Sequence, residues 1–241
     1  MSTELLFQTD SYLNTFEAKV IAVDPEKKGI VLDNTAFYPG GGGQPADTGT
    51  ITFDNKVSEV IKFMRSDGEI WHILSDDLPY VGQSVLGNIN WRRRLQLMRT
   101  HTAMHILCGV IWRDYKAQVT GGNMEPLGGR MDFEFEQMNR ELVEEIERNI
   151  NLEVKKARGI EVKILDREEA NKIPDLIRTK INLLPPNLKQ IRTVDIRGLD
   201  LQADGGTHVN NTSEVGYIRI TEYKSKGRIN KRLKIQLEED S

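Results

Sequence analysis

Two histidines four residues apart, His101 and His105, stand in the run His-Thr-Ala-Met-His, and Asp204-Gly-Gly-Thr-His208 follows about a hundred residues later. Three of the chain's four histidines fall in these two short segments. Side chains at i and i+4 stack on one face of a helix, so the first pair offers two imidazoles to one small volume. That is one way to begin a metal site, and Zn²⁺ favours imidazole nitrogen. The third histidine has to be delivered from elsewhere by the fold. An isolated H-x-x-x-H is a weak signal, since a capped or buried histidine is the commoner outcome. A zinc protease would need glutamate directly after the first histidine as its base, and Thr102 stands there instead. The second segment strengthens the case: Gly205 and Gly206 permit a tight turn that can swing Asp204 and His208 towards one point.

The elements that must carry these residues are legible in outline. A helix is expected from Trp91 to about Asp114, with Leu95, Met98, Ala103, Ile106, Val110 and Ile111 forming much of an apolar stripe. His101 and Cys108 are about 10 Å apart along such a helix at ~1.5 Å rise per residue, too far to share one ion, so Cys108 reads as a packed core thiol. Ahead of the helix, residues 1–88 are β-rich. Phe16–Val23, Gly29–Asp33, Thr48–Phe53, Val57–Met64 and Glu69–Leu74 are separated by turn signals at close spacing, which suggests a small barrel, and Gly82–Gly87 reads as its boundary. Behind it, Arg130–Phe135 alternates as a strand, and a second long helix is expected over about Gln137–Arg158, stopped by Gly159. Strands follow at Ile160–Leu165, Ile191–Ile196, Val215–Thr221 and Leu233–Leu237, with a short helix capped by Asp166 and ending near Pro174. The fold class is therefore α+β: a small N-terminal β-barrel over residues 1–88, then a two-layer α+β domain over 89–241 with two long helices on a mostly antiparallel sheet.

Composition narrows the setting. At 241 residues the chain suits one large domain or two modest ones. No run of eighteen apolar residues exists to span a membrane, and the N-terminus lacks the basic-then-apolar layout of a signal peptide. A lone cysteine rules out an internal disulfide and fits a reducing cytoplasm. The net charge of −3 is uninformative, but its distribution is not. Arg92, Arg93 and Arg94 form one basic cluster; Lys224, Lys226, Arg228, Lys231 and Arg232 belong to another. Either could give phosphates a positive face, or could equally be solvated helix and hairpin surface.

Pro39-Gly40-Gly41-Gly42-Gly43-Gln44-Pro45 is not a Walker loop, because no Gly-Lys-Ser/Thr follows it. Glycine content alone makes it a hairpin connection, although four glycines also let backbone N–H groups approach a ligand closely.

Taken in order, three stretches resemble one family. His101-Thr-Ala-Met-His105 resembles the H-x-x-x-H motif of the editing domain of alanyl-tRNA synthetase, and Asp204-Gly-Gly-Thr-His208 resembles that domain's C-x-x-x-H motif, usually Cys-Gly-Gly-Thr-His. Phe37-Tyr-Pro-Gly-Gly-Gly-Gly-Gln44-Pro-Ala-Asp-Thr-Gly49 resembles the glycine-rich motif of the barrel that precedes it. With no aminoacylation domain ahead of them, the arrangement resembles the free-standing editing proteins called AlaX, in the medium-length form that keeps the barrel.

The resemblance implies a cytoplasmic zinc-dependent deacylase acting in trans on mischarged tRNA(Ala), on the seryl ester first and the glycyl ester as a second candidate, with no membrane or DNA partner. It makes His101, His105 and His208 metal ligands. Asp204 occupies the family's cysteine position. A carboxylate can bind Zn²⁺ at about 2.0–2.2 Å against about 2.3 Å for thiolate, so Asp204 either replaces the thiolate directly or orients water from behind three histidine ligands. Sparing alanine while accepting serine calls for a group that hydrogen-bonds the extra hydroxyl. Thr120 is the first candidate and Thr102 the second, with Gly41, Gly42, Gly43 and Gln44 as a facing wall. Two rival functions stay open: a module that binds aminoacyl-tRNA without turnover, and a metal-dependent esterase on another aminoacyl ester.

Overall fold

Alternation of apolar and polar residues builds the first half of the chain. The structure, a computed structural model, describes residues 3–179 and 188–239. Its contacts divide the chain into two units: residues up to Gly41 with Pro45–Leu95, and Gly42–Gln44 with Gln96 onward.

In the first unit, a short strand β1 (Glu4–Leu5) precedes β2 (Thr15–Asp24), β3 (Gly29–Leu32), β4 (Asn34–Thr35), β5 (Gly49–Phe53), β6 (Lys56–Ser66), β7 (Glu69–Leu74) and β8 (Ser84–Ile89). Six of these close into an antiparallel barrel in the order β2-β3-β7-β6-β5-β8, while β1 pairs with β4 alone. Along β2, Phe16, Ala18 and Val20 point inward and their neighbours outward; with Ile30, Leu32, Ile51, Val60, Leu74, Val85 and Ile89 they fill the interior. Closure removes the exposed edges that would otherwise invite pairing with another chain. The stretch Gly82–Gly87, expected as a boundary, instead enters β8, the strand whose pairing with β2 shuts the barrel. Its strand character is faint in the sequence because Ser84-Val-Leu-Gly-Asn-Ile89 turns Gly87 inward, against Phe16, and Leu86 outward, so apolar and polar residues do not alternate cleanly.

The glycine-rich loop is cinched at its base. Tyr38 N–H donates to Asp47 Oδ2 (2.6 Å) and Asp47 N–H to Tyr38 O (3.0 Å). Asp47 is in turn gripped by Arg94, which is fully buried and donates Nε to Oδ1 at 2.9 Å, Nη1 to Ser11 O at 2.9 Å and Nη2 to Ala36 O at 2.6 Å, besides pairing with Oδ2.

The second unit takes up most of helix α1 (Trp91–Tyr115), then β9 (Val119–Glu125), β10 (Gly128–Glu134), α2 (Arg140–Lys155), β11 (Ile160–Asp166), α3 (Arg167–Ala170), β12 (Gln190–Ile196), β13 (Asp200–Ala203), β14 (Ile218–Ser225) and β15 (Asn230–Leu237). One antiparallel sheet runs β14-β15-β10-β9 and another β11-β12-β13. The expected stripe on α1 is an understatement: every residue from Leu97 to Ile111 is buried. A helix wrapped on all sides cannot leave polar groups unpartnered, so Thr100, His101, Thr102 and His105 all require bonds inside the protein. Helix α2 is amphipathic in the ordinary way, burying Val143, Ile146, Ile150 and Val154. It is shorter than its sequence pattern because Asn139 caps it, accepting from Leu142 N–H at 2.9 Å, and Ala157 leaves the helix with φ of 48°. Likewise β14 starts at Ile218 rather than Val215, since Asn211 caps a 3₁₀ turn over Thr212–Val215.

Candidate metal centre

Burying His101 and His105 on α1 raises the question of what satisfies two nitrogens on each ring. For His101, Nδ1 lies 3.0 Å from Gln44 Oε1. That oxygen also accepts from Thr207 N–H at 3.0 Å, while Gln44 Nε2 donates to Thr207 Oγ1 at 2.8 Å. A backbone N–H can only donate, so the amide orientation is fixed, and His101 must donate its Nδ1 proton to Gln44. For His105, Nδ1 lies 3.1 Å from Asp200 Oδ2, and a carboxylate oxygen accepts. His208 Nδ1 lies 3.1 Å from Thr102 Oγ1. All three rings therefore bond outward through Nδ1. Their centroids are 4.2–5.1 Å apart.

Asp204 meets the other side. Its Oδ1 is 3.4 Å from His101 Nε2 and its Oδ2 3.1 Å from His208 Nε2. Oδ2 also accepts from Gly206 N–H at 2.7 Å, and Arg192 Nη1 donates to the Asp204 backbone oxygen at 3.0 Å. One donor atom from each of His101, His105, Asp204 and His208 lies within 4.8 Å of all the others. Three imidazoles and a carboxylate, with the tautomers of His101 and His105 set to present Nε2, form a donor set that suits Zn²⁺.

Electrostatics favour the neutral, ligating form for two of the three rings. Burial pushes His101 down to about 4, against the pull of Asp204, and pushes His208 well below its ordinary value with help from the charge of His101. Both rings are thus neutral near pH 7, the state that can ligate. Burial opposes charge on His105 as well, but the bond to Asp200 outweighs it and raises that ring. Burial likewise opposes charge on Asp204, yet the neighbouring histidines hold its carboxyl well below the usual range.

Two glycines let the pieces meet. A Cβ on Gly206 would lie 2.4 Å from His101 Cε1 and 2.5 Å from Gln44 Oε1. On Gly109 it would lie 2.9 Å from Asp200 Cβ, so β13 approaches α1 closely only because that position is bare.

The cluster opens onto a cavity of about 620 Å³. Met104, Met124, Met131, Val119 and Ile177 supply apolar wall; Gly42, Gly43 and Thr120 line it as well. The hydroxyl of Thr120 donates to Asn230 Oδ1 at 3.0 Å. Thr102, the alternative partner for a substrate hydroxyl, is buried between His208 Nδ1 and Val209 N–H and does not line the cavity. Gly41 lies outside the cavity lining; its carbonyl accepts from Tyr38 Oη at 2.8 Å. Gln44 does not form a wall for substrate; it is buried behind His101.

The basic residues divide. Arg94 cannot serve as a phosphate contact, because its guanidinium is enclosed with Asp47. Lys231 is buried too, donating to the Gly227 and Arg228 carbonyls at 2.8 Å. Arg232 forms two bonds to Asp132 at 2.7 and 2.8 Å, and Arg93 reaches the Ala46 carbonyl. Arg92, Lys224, Lys226 and Arg228 are exposed. Three groups that the sequence motifs do not single out matter here: Asp200, Gln202 and Gly109. Asp200, Gln202 and Asp204 recur at every second residue, the spacing of one strand face, and Gly109 follows His105 by four residues on the same helix side. Those spacings are the signals by which the three could have been found.

Comparison with known proteins fits this geometry. Residues 7–93 match the family described as tRNA synthetases class II (A), and residues 191–234 match the threonyl and alanyl tRNA synthetase second additional domain. The alanyl-tRNA editing protein AlaX-M of Saccharolobus solfataricus is 38% identical over 236 residues, spanning 96% of this chain and 97% of that one. AlaX-M of Methanosarcina mazei is 35% identical over 243 residues, 98% and 96% of the two chains. The alanine–tRNA ligase of Pyrobaculum calidifontis is 36% identical over 230 residues, 90% of this chain but 25% of that protein. With full-length relatives at this identity and the four donor residues brought to one point, the chain belongs to the AlaX-M family of alanyl-tRNA editing proteins.

Proposed function

We propose that the chain is a zinc-dependent deacylase that frees serine from mischarged seryl-tRNA(Ala) in trans, in the cytoplasm, with glycyl-tRNA(Ala) as a second substrate. The observation that carries this reading is the convergence of His101, His105, His208 and Asp204, three of which line an apolar-walled cavity, in a chain similar end to end to AlaX-M proteins. Those four residues would hold the ion, Asp204 standing in for the family's thiolate. Bound there, the ion would supply Lewis acidity, polarising the ester carbonyl or lowering the pKa of water to about 7.

The chain's own residues do the rest. Gln44, Asp200 and Thr102 keep the three rings turned inward, which fixes the donors before substrate arrives. Asp204 is the donor most open to the cavity, 15% exposed against 1–9% for the rings, so its carboxylate is the one placed to meet the reacting ester or an incoming water. The methionine-lined wall restricts bulk water and receives the apolar part of the substrate. Thr120, with Gly42 and Gly43 across from it, is our candidate for the polar contact that separates serine from alanine; its bond to Asn230 would have to be exchanged or shared. Arg92, Lys224, Lys226 and Arg228 would meet tRNA phosphates and make affinity fall with salt.

The test is turnover of radiolabelled seryl-tRNA(Ala) by the full chain, before and after chelator treatment and after zinc is restored. Serine release that disappears with chelator and returns with zinc is expected. Retention of the tRNA without release, by a chain carrying one zinc, would favour a binding module instead.

A further inference from the structure

Four groups meet the outer Nδ1 atoms of the histidine rings: Gln44, Thr102 and, at 3.5 Å from His105, Gln202 Nε2 are neutral, and Asp200 alone carries a carboxyl group. It is fully buried. Its Oδ2 receives His105 Nδ1 at 3.1 Å and Gln202 Nε2 at 2.5 Å, and its Oδ1 lies 3.5 Å from Arg178 Nε. Arg178 rests in turn over the Trp112 ring, 4.8 Å from its centroid. A carboxylate in such a place is costly and persists only when paired and hydrogen-bonded.

Asp200 is not itself a donor to the centre. It meets His105 at Nδ1, on the far side of the ring from Nε2, and it does not line the cavity. It touches neither substrate nor reacting atoms, so it has no catalytic part.

We propose that Asp200 is the positioning residue of the metal centre: it locks His105 as the Nδ1–H tautomer, aims Nε2 at the other donors and makes that ring a stronger ligand, while Arg178 and Gln202 hold the carboxylate in place. The inference rests on the metal role proposed for His105, and it extends that role outward to a residue the sequence motifs do not contain. Outer carboxylates of this kind typically change metal affinity by about 10–100-fold.

The experiment uses zinc alone and the full chain. Zinc affinity is measured by competition with a chromophoric chelator for the wild type and for Asp200→Asn, with circular dichroism of both apo chains as the check on folding. Asp200→Asn is expected to bind zinc about 10–100-fold more weakly; an affinity within twofold of wild type overturns the proposal. Should that variant not fold, long-range proton–nitrogen NMR of the zinc-loaded wild type decides. A protonated, slowly exchanging Nδ1 on His105 is expected, and zinc on Nδ1 with the proton on Nε2 overturns the proposal. Neither readout involves tRNA, so failure to deacylate would sink the proposed function and leave this one standing. A wild-type chain that binds no zinc would sink both.

Discussion

Replacing Gly206 with alanine is the sharpest perturbation of the centre, because its neighbour supplies the control. The new methyl carbon would stand 2.4 Å from His101 Cε1 and 2.5 Å from Gln44 Oε1, whereas ordinary contact begins near 3.4 Å, so the loop and the helix must part by about 1 Å. Overpacking of this kind costs about 1–3 kcal/mol, and a chain of this size loses roughly 2–4 °C in Tm per kcal/mol. A fall of roughly 2–12 °C is expected on those figures. The same movement breaks the 3.0 Å bond that sets the His101 tautomer, so zinc affinity should fall about 10–100-fold. A methyl carbon on Gly205 would meet nothing within 4 Å, and its φ lies outside the left-handed region, so Gly205→Ala should stay within about 0.5 kcal/mol of wild type. Differential scanning calorimetry and zinc competition on both variants make the comparison. If the two alanines behave alike, the close approach of the 204–208 turn to His101 is not what assembles the centre.

Four further outcomes are expected. Asp204→Cys should fold, keep one zinc per chain and retain part of the deacylation if Asp204 is a ligand; a severe loss of activity with zinc still bound would make it a base acting from behind three histidines. Arg94→Leu strands Asp47 inside the barrel unit and should cost about 3–5 kcal/mol in urea unfolding; a cost under about 1 kcal/mol would contradict the burial described. His72 is buried among Phe37 and Phe63, and burial lowers it to about 4; the folded state then binds fewer protons than the unfolded, so this ring's contribution to stability is full above about pH 6.5 and about 3 kcal/mol of it is lost as pH drops through 4. In urea unfolding repeated across pH 4–8, His72→Phe should remove that ring's share of the slope and leave the share of His101 and His208; an unchanged slope would show that His72 contributes none of it. Thr120→Val should narrow the rate difference between seryl- and alanyl-tRNA(Ala), measured as kcat/KM; an unchanged ratio removes Thr120 from the discriminating contact.

The donors themselves were legible in the sequence because chemistry restricts them to few residue types at fixed helical spacing. Barrel and α+β layers followed from period-two and helical patterns, which burial imposes directly. What stayed hidden depends on closure in three dimensions. Strand β8 places glycine inward and leucine outward, so its pairing with β2 and β5, not its sequence, identifies it as structure. Arg94 sits in a run of three arginines and is the one of them fully enclosed, because Asp47 lies 47 residues back and no local pattern announces the pair. Charge clusters in a sequence count residues; which of them face solvent is settled by partners far along the chain. Gln44 shows the same thing from the other direction: read as part of a substrate wall, it lies instead behind His101.

Gln44 stands 57 residues before the ring it steadies and 163 before the threonine that fixes its own amide. A shortened polypeptide beginning at α1 would contain every donor atom of the cluster and still leave one imidazole without its Nδ1 acceptor, its proton unassigned. Excising the front of the chain would therefore loosen chemistry that the excised piece never performs, and a minimal version made for engineering should graft a substitute acceptor beside His101 before its activity is judged.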